Sequence, residues 1–214
     1  MIYLIGGAPR CGKSILAKKL AKKLDVQFFQ CDYLRPIIIA YTPKNEMDQK
    51  FPLVKMYDEN GCDNNKLFKN FSPEELLQAD IIEARTLWLG IKEFIKQKAV
   101  LGRDVIVEGV QLLPELVDEI KKEKYVKDLK AVYLIKENEQ KILEGFKKNT
   151  QNDWLIQDSN SEETLLLAAR MVCNDSEYFK KEAAKYGFEV FNSDEEFENV
   201  LDTALDFLIN KKSV

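Results

Sequence analysis

The sequence predicts an α/β fold, a parallel sheet covered by helices on both faces. Two observations predict it. Five short apolar stretches rich in β-branched and aromatic residues recur along the 214 residues, separated by segments with apolar residues at helical spacing. Strands of that near-continuous apolar kind suit a parallel sheet buried on both sides. The second observation is Gly7 to Ser14, Gly-Ala-Pro-Arg-Cys-Gly-Lys-Ser. It is a complete G-x-x-x-x-G-K-[ST] phosphate-binding loop, placed between the first apolar stretch and the first helical segment.

The elements follow in order. Ile2-Tyr3-Leu4-Ile5 reads as the first strand, and Ile15 to Leu24 as the helix after the loop. Val26 to Cys31 reads as a second strand ending at Asp32. Residues 36–71 hold Pro36, Pro43, Pro52 and Gly61 without clean periodicity. They predict short helical pieces and loops, an insert placed to cover a substrate. Ser72-Pro73-Glu74-Glu75 predicts a strong helix start, with a cap, proline at the first helical position and acids in the first turn. That helix is expected to reach about Lys98, with Leu77, Ile81, Ala84, Trp88, Ile91 and Ile95 along one face. Arg103 to Gly109 reads as a buried strand, and Leu113-Pro114-Glu115 opens a helix to about Glu123. Lys130 to Ile135 is the fourth strand, with a helix from Glu137 to about Lys147. Residues 148–160 are polar and placed like a lid. A long helix is expected from Ser161 to about Tyr186, then strand Phe188 to Phe191 and a last helix from Asp194 to about Asn210. No repeat or composition break divides the chain, so residues 1–214 read as one domain.

Composition narrows the function classes. The chain has 45% hydrophobic and 32% charged residues, with net charge −4. That balance argues against a general nucleic-acid grip, which needs clustered positive charge. No apolar run approaches the roughly 18–20 residues needed to span a bilayer. The N-terminus opens directly into a strand, so a leader peptide is not expected. Four cysteines without C-x-x-C spacing and no histidine argue against a zinc site. Free thiols beside a nucleotide loop fit a reducing cytoplasm. Without histidine, any general base must be a carboxylate, lysine, tyrosine or cysteine.

The phosphate loop carries the most specific chemistry. Gly7 and Gly12 let successive N–H groups turn inward, with Ala8, Pro9, Arg10 and Cys11 between them. The helix beginning near Lys13 aims its positive end at the same point. Lys13 is expected to reach the β- and γ-phosphates of ATP, and Ser14 to hold Mg²⁺ through its hydroxyl. A chance match of this motif arises in roughly one chain in a hundred of this length. Ligands of parallel sheets bind at the carboxyl ends of the strands, where the loop, Asp32 and Glu108 all fall.

Asp32 is expected to accept or orient the proton of an acceptor hydroxyl, the competing reading being a helix cap. Arg35, three residues on, suits a carboxylate or phosphate of the acceptor. Glu108 could orient Mg²⁺ through water or hold an acceptor hydroxyl. Gly109 would leave room for substrate against the backbone, and Gln111 could donate to the acceptor. Beyond Lys13, positive charge for the transferred group could come from Arg10, Arg85, Arg103, Arg170 or lysines such as Lys147 and Lys148 at the edge of residues 148–160. Of these, Arg170 is the catalytic candidate.

These motifs together resemble the small P-loop kinases of the nucleoside-monophosphate-kinase type. The resemblance implies a three-layer P-loop NTPase fold with a five-stranded parallel sheet in the order 2-3-1-4-5. More narrowly, Val107-Glu108-Gly109-Val110-Gln111-Leu112-Leu113-Pro114 looks like the Glu-Gly-x-x-Leu-x-Pro stretch of 2-phosphoglycerate-kinase-like proteins. Chloramphenicol phosphotransferase and zeta-toxin kinases are similar in layout, with a carboxylate base where Asp32 sits. One departure stands out: residues 104–169 contain no arginine, where nucleoside-monophosphate kinases carry several in the lid. The resemblance implies an ATP- and Mg²⁺-dependent kinase acting on a small-molecule hydroxyl or phosphate. The alternatives are a nucleoside-monophosphate kinase and a nucleotide-dependent regulatory ATPase.

Overall fold

The structure is a computed structural model that describes residues 1–148, 161–194 and 196–210. Five strands form one sheet: β1 (Ile2–Gly7), β2 (Phe28–Gln30), β3 (Val105–Glu108), β4 (Leu129–Ile135) and β5 (Glu189–Asn192). Their order is β2-β3-β1-β4-β5, and every pairing is parallel. All six residues of β1 are buried, as the central strand of a sheet covered on both faces requires. The edge strands β2 and β5 are only partly buried. The register brings Ile5 opposite Glu108, Gln30 opposite Glu108, and Gly7 opposite Leu134. The carboxyl ends of β1, β2, β3 and β4 are therefore level, and the loops that follow them converge.

Two helical layers cover the sheet. Helix α1 (Lys13–Leu24) packs with the last helix, which spans Phe197–Ile209. On the other side stand α6 (Pro73–Val100), α7 (Pro114–Lys121) and α9 (Glu162–Lys185), with α8 (Glu139–Lys148) against α9. The predicted start of α6 is present in full. Ser72 Oγ accepts from the Glu75 amide at 3.2 Å, and Glu75 Oε2 accepts from the Ser72 amide at 2.8 Å. This reciprocal cap satisfies two amides that a helix start otherwise leaves open. Ser161 caps α9 one way only, its hydroxyl accepting from Thr164 N at 3.1 Å.

The stretch 36–71 is more helical than its proline spacing suggests. It folds as α2 (Leu34–Tyr41), α3 (Met47–Lys50), α4 (Pro52–Glu59) and α5 (Asn64–Asn70). The second strand is shorter than expected, because Cys31–Tyr33 turns at once into a 3-10 turn. The helix expected from Asp194 begins only at Phe197 and is α10. The lid-like stretch lies outside the described residues from 149 onward, while Lys148 is the last residue of α8.

Candidate functional site

The loop Gly7–Ser14 joins β1 to α1 at the centre of the sheet. Gly7 (φ 120°) and Gly12 (φ 100°) are both in backbone regions that side chains disfavour. A Cβ on Gly12 would lie 2.9 Å from the Phe197 ring, so the glycine also lets α10 close against the loop. Gly12 caps α1 without any side-chain hydrogen bond. The first-turn amides of α1 are thus left to be satisfied by a ligand, at the positive end of the helix. Ser193, just after β5, donates to Cys11 O at 3.0 Å and to Ile135 O at 3.2 Å. It pins the loop to the sheet. Burial pushes the Cys11 thiol up to about 12, which favours its neutral form.

Lys13 is buried and folds back to donate to Ala8 O at 2.7 Å. Ser14 Oγ donates to Glu108 Oε1 at 2.9 Å, and Gln30 Nε2 donates to the same oxygen at 2.7 Å. Tyr33 in turn donates to Gln30 Oε1 at 2.8 Å. One hydrogen-bonded chain therefore runs from the phosphate loop along the ends of β3 and β2. The chain ends at Tyr33; Asp32, its neighbour in sequence, lies outside it and is exposed. Its carboxylate accepts from Gln111 Nε2 at 2.8 Å. Neither the 3-10 turn nor α2 has a side-chain cap hydrogen bond, so Asp32 is not held as a helix cap.

Three sequence expectations change here. Gln111 donates to Asp32 and so orients the carboxylate. Gly109 does not open a space for substrate: a Cβ there would meet Gln111 Oε1 at 2.4 Å and Cys31 Cβ at 2.8 Å. The room that the missing side chain leaves is taken by Gln111 and Cys31. Arg35 is engaged by two acids of α6, Asp80 Oδ1 at 3.4 Å and Glu83 Oε2 at 3.0 Å. Glu83 is fully buried, and its other oxygen accepts from the amides of Leu53 and Val54 at 2.8 and 3.0 Å. One carboxylate thus caps α4 and holds Arg35.

On the other side of the loop lies a cavity of about 1000 Å³ whose lining includes Lys13, Ser14, Lys136, Lys141, Phe146 and Lys148. The Arg10 guanidinium stands 5.7 Å from the Phe146 ring centre, and Lys136 Nζ 5.5 Å from that of Phe197. Arg10 also lines the cavity, so its cationic lining is mostly lysine with one arginine. Arg170 does not line this cavity. It is exposed and pairs with Glu139 at 3.3 Å. Lys147 pairs with Glu162, Arg85 with Glu115.

Sequence reasoning missed Gln30, Asp80, Glu83, Asp175 and Ser193. Asp80 and Glu83 read as ordinary acids three apart on a helix. Asp175 sits in a polar run of α9, yet it is buried and its Oδ1 has no hydrogen-bond partner. Burial raises its carboxyl well above the ordinary range, with Asp80 adding to the rise and Lys13 opposing it. Burial likewise raises Asp80 to about 6, against the pull of Arg35 and with help from Glu83 and Asp32. Asp175 therefore stands within electrostatic reach of both the loop lysine and the Asp80 group.

No family model matches the chain. A curated mevalonate-3-phosphate 5-kinase of Thermoplasma acidophilum is 25% identical over 120 residues, 56% of this chain and 55% of that protein. The match thus spans about half the length of that relative. Among solved structures, a shikimate kinase from Bacteroides thetaiotaomicron superposes with TM-score 0.54 at 15% identity, covering 97% of this chain and 98% of its own. A gluconokinase from Sinorhizobium meliloti does so with TM-score 0.54 at 12% identity, covering 96% and 90%. The fold is that of the P-loop NTPases, as these kinases build it.

Proposed function

We propose that this protein is a small-molecule kinase that transfers the γ-phosphate of ATP to an acceptor hydroxyl. The observation that carries the reading is a pair of carboxylates at the carboxyl ends of β3 and β2, each fixed by its own hydrogen bond. Glu108 is bound to the loop's Ser14, and Asp32 is held in place by Gln111 but open to solvent. A switch that only hydrolyses ATP has no need of an oriented, exposed carboxylate on the acceptor side. The likeness to a kinase of known acceptor over half its length supports the same reading.

The loop amides and Lys13 would take the phosphates, with Lys13 leaving Ala8 O as they arrive. Ser14 Oγ and the Glu108 carboxylate are hard oxygen donors, 2.9 Å apart, and suit Mg²⁺ held directly by Ser14 and through water by Glu108. Mg²⁺ there would offset charge on the β- and γ-phosphates. The acceptor oxygen attacks phosphorus in line, and the bond from phosphorus to the bridging oxygen of ADP breaks. ADP leaves with that electron pair, and the hydroxyl proton passes to the Asp32 carboxylate. Lys136, Lys141 and Lys148 would supply the charge that lid arginines supply elsewhere. Arg170 could join them only by leaving Glu139. Residues 36–71 would cover the acceptor.

The decisive measurement is ADP release with and without acceptor mixtures. A kinase stays slow until an acceptor is added, whereas equal release in both would overturn the reading. Hydrogen exchange gives a second arm. An ATP analogue plus acceptor should protect residues 36–71 more than the analogue alone.

A further inference from the structure

Within the kinase reading above, on which this inference rests, the glycine after Glu108 has a role of its own. The backbone at Gly109 does not require glycine: its φ is not positive, unlike those of Gly7 and Gly12. Space is what requires it. A Cβ there would stand 2.4 Å from Gln111 Oε1, 2.8 Å from Cys31 Cβ and 3.3 Å from Cys31 Sγ. The first two contacts are closer than packed side chains allow. Cys31 Cβ cannot swing aside, because it moves only with its own backbone.

Both neighbours of that empty position lead to Asp32. Cys31 is buried and precedes Asp32 in the 3-10 turn, so its close approach to Gly109 sets where the Asp32 backbone lies. Gln111 is 1% exposed and donates from Nε2 to Asp32 Oδ1 at 2.8 Å, which sets where the carboxylate points. Gln111 Oε1 is buried and has no hydrogen-bond partner. A buried carbonyl left open is costly. The reason is that a carboxylate only accepts: Asp32 takes the N–H side of the amide, and the oxygen is left against the glycine. Gly109 is itself fixed. Its amide donates at 3.2 Å to Ile5 O on β1, two residues before the phosphate loop.

We propose that Gly109 is a positioning residue for the acceptor-side base. Its bare Cα is the seat on which Cys31 sets the backbone of Asp32 and Gln111 sets its carboxylate, both at a fixed place relative to the phosphate loop. Gly109 touches no reacting atom; it acts through these two neighbours. The strand that carries the phosphate loop thereby also fixes the group that takes the acceptor proton. A side chain at position 109 would displace Asp32 by its backbone and by its hydrogen-bond partner at once.

The test places Gly109→Ala and Gln111→Leu each in the parent chain and in Asp32→Asn. ADP release is followed with saturating ATP and Mg²⁺, and a mixture of hexoses, polyols, hydroxy acids and nucleosides is the acceptor probe. In the parent chain each substitution should lower the acceptor-dependent rate about 10- to 100-fold, the scale of a misplacement of about 1 Å. In Asp32→Asn each should cost less than about threefold more, because no base remains to be misplaced. Equal losses in both backgrounds overturn the proposal, since a glycine needed only for packing acts whether or not Asp32 is present. Gln111→Leu keeps the test open where Gly109→Ala does not fold. A second arm needs no acceptor: iodoacetamide labelling of the buried Cys31, read by peptide mass, with the equally buried Cys11 as control. Gly109→Ala should label Cys31 about tenfold faster and leave Cys11 unchanged, as a locally displaced turn requires. Unchanged labelling of Cys31, or equal acceleration at both thiols, overturns the seat and leaves the kinase reading standing. A parent chain that binds ATP but answers to no component of the mixture overturns the kinase reading, and the positioning role with it, even where Cys31 labelling is faster.

Discussion

The two sides of the phosphate loop differ in charge, in openness and in how they are made. The side proposed for the nucleotide is a cavity of about 1000 Å³ whose lining includes lysines and two phenylalanines. The side proposed for the acceptor is interlocked, with Arg35 held between Asp80 and Glu83 and α4 capped by the same Glu83. The first is largely backbone geometry: a loop of eight residues, two glycines at positive φ and a helix start. The second is built from side chains at positions 35, 80 and 83, brought together only by the fold. The difference teaches that triphosphate recognition travels as a short local motif. On the proposed reading acceptor recognition is distributed, and so it is free to diverge on a shared scaffold.

Substitutions on each side should break this contrast in different ways. The largest effect is expected from Lys13→Ala, which should lower phosphoryl transfer by roughly 10³- to 10⁵-fold, the scale of a single cation acting on the transferred group. Circular dichroism should show an unchanged fold, since Lys13 gives only one internal hydrogen bond. Full turnover in the folded variant would remove the loop from the chemistry. Asp32→Asn should lower the acceptor-dependent rate by roughly 10²- to 10⁴-fold and leave ATP affinity alone. A lower melting temperature with an unchanged rate would make Asp32 structural.

Glu83→Ala should act on stability, by about 3 kcal/mol, because it strands Arg35 and two amides of α4 at once. Denaturant unfolding measures it, and a loss under 1 kcal/mol would show that the interlock is weak. Asp80→Asn should act in the opposite direction. The folded-state value of Asp80, about 6, lies above its ordinary 3.8, so the folded chain holds more protons between those values. Stability therefore falls as pH rises through that window. The variant should lose that slope and gain roughly 2 kcal/mol at pH 7. Melting curves at pH 4, 5, 6 and 7 would reveal it, and parallel pH profiles for both proteins would refute it.

Most of the fold could be read from the residues because each element is locally consistent. The Ser72 cap and the Pro73 start of α6, the five apolar strands and the phosphate loop each need only neighbours in sequence. The insert was harder, since α2, α3, α4 and α5 are short and draw their order from packing on α6 and α9. Among candidate site residues, Lys13 and Ser14 lie at the start of α1 and Glu108 at the end of β3, positions that local sequence indicates. Gln111 and Arg35 are the right residue types with other partners, because a partner 45 or 79 positions away leaves no local trace. Asp175 is the extreme case, as nothing in its surrounding sequence distinguishes a buried acid from a solvated one.

The hydrogen bond from Lys13 to Ala8 O has one more consequence. The ammonium group of the loop is not a bare charge waiting for any anion, because it already holds an oxygen at 2.7 Å. A lone phosphate or sulfate gains only the difference between itself and that carbonyl. A chain of phosphates gains more, because it meets the lysine and the helix amides together. On the proposed reading the resting contact would act as a threshold, favouring the triphosphate over the simple anions that crowd every solution it meets.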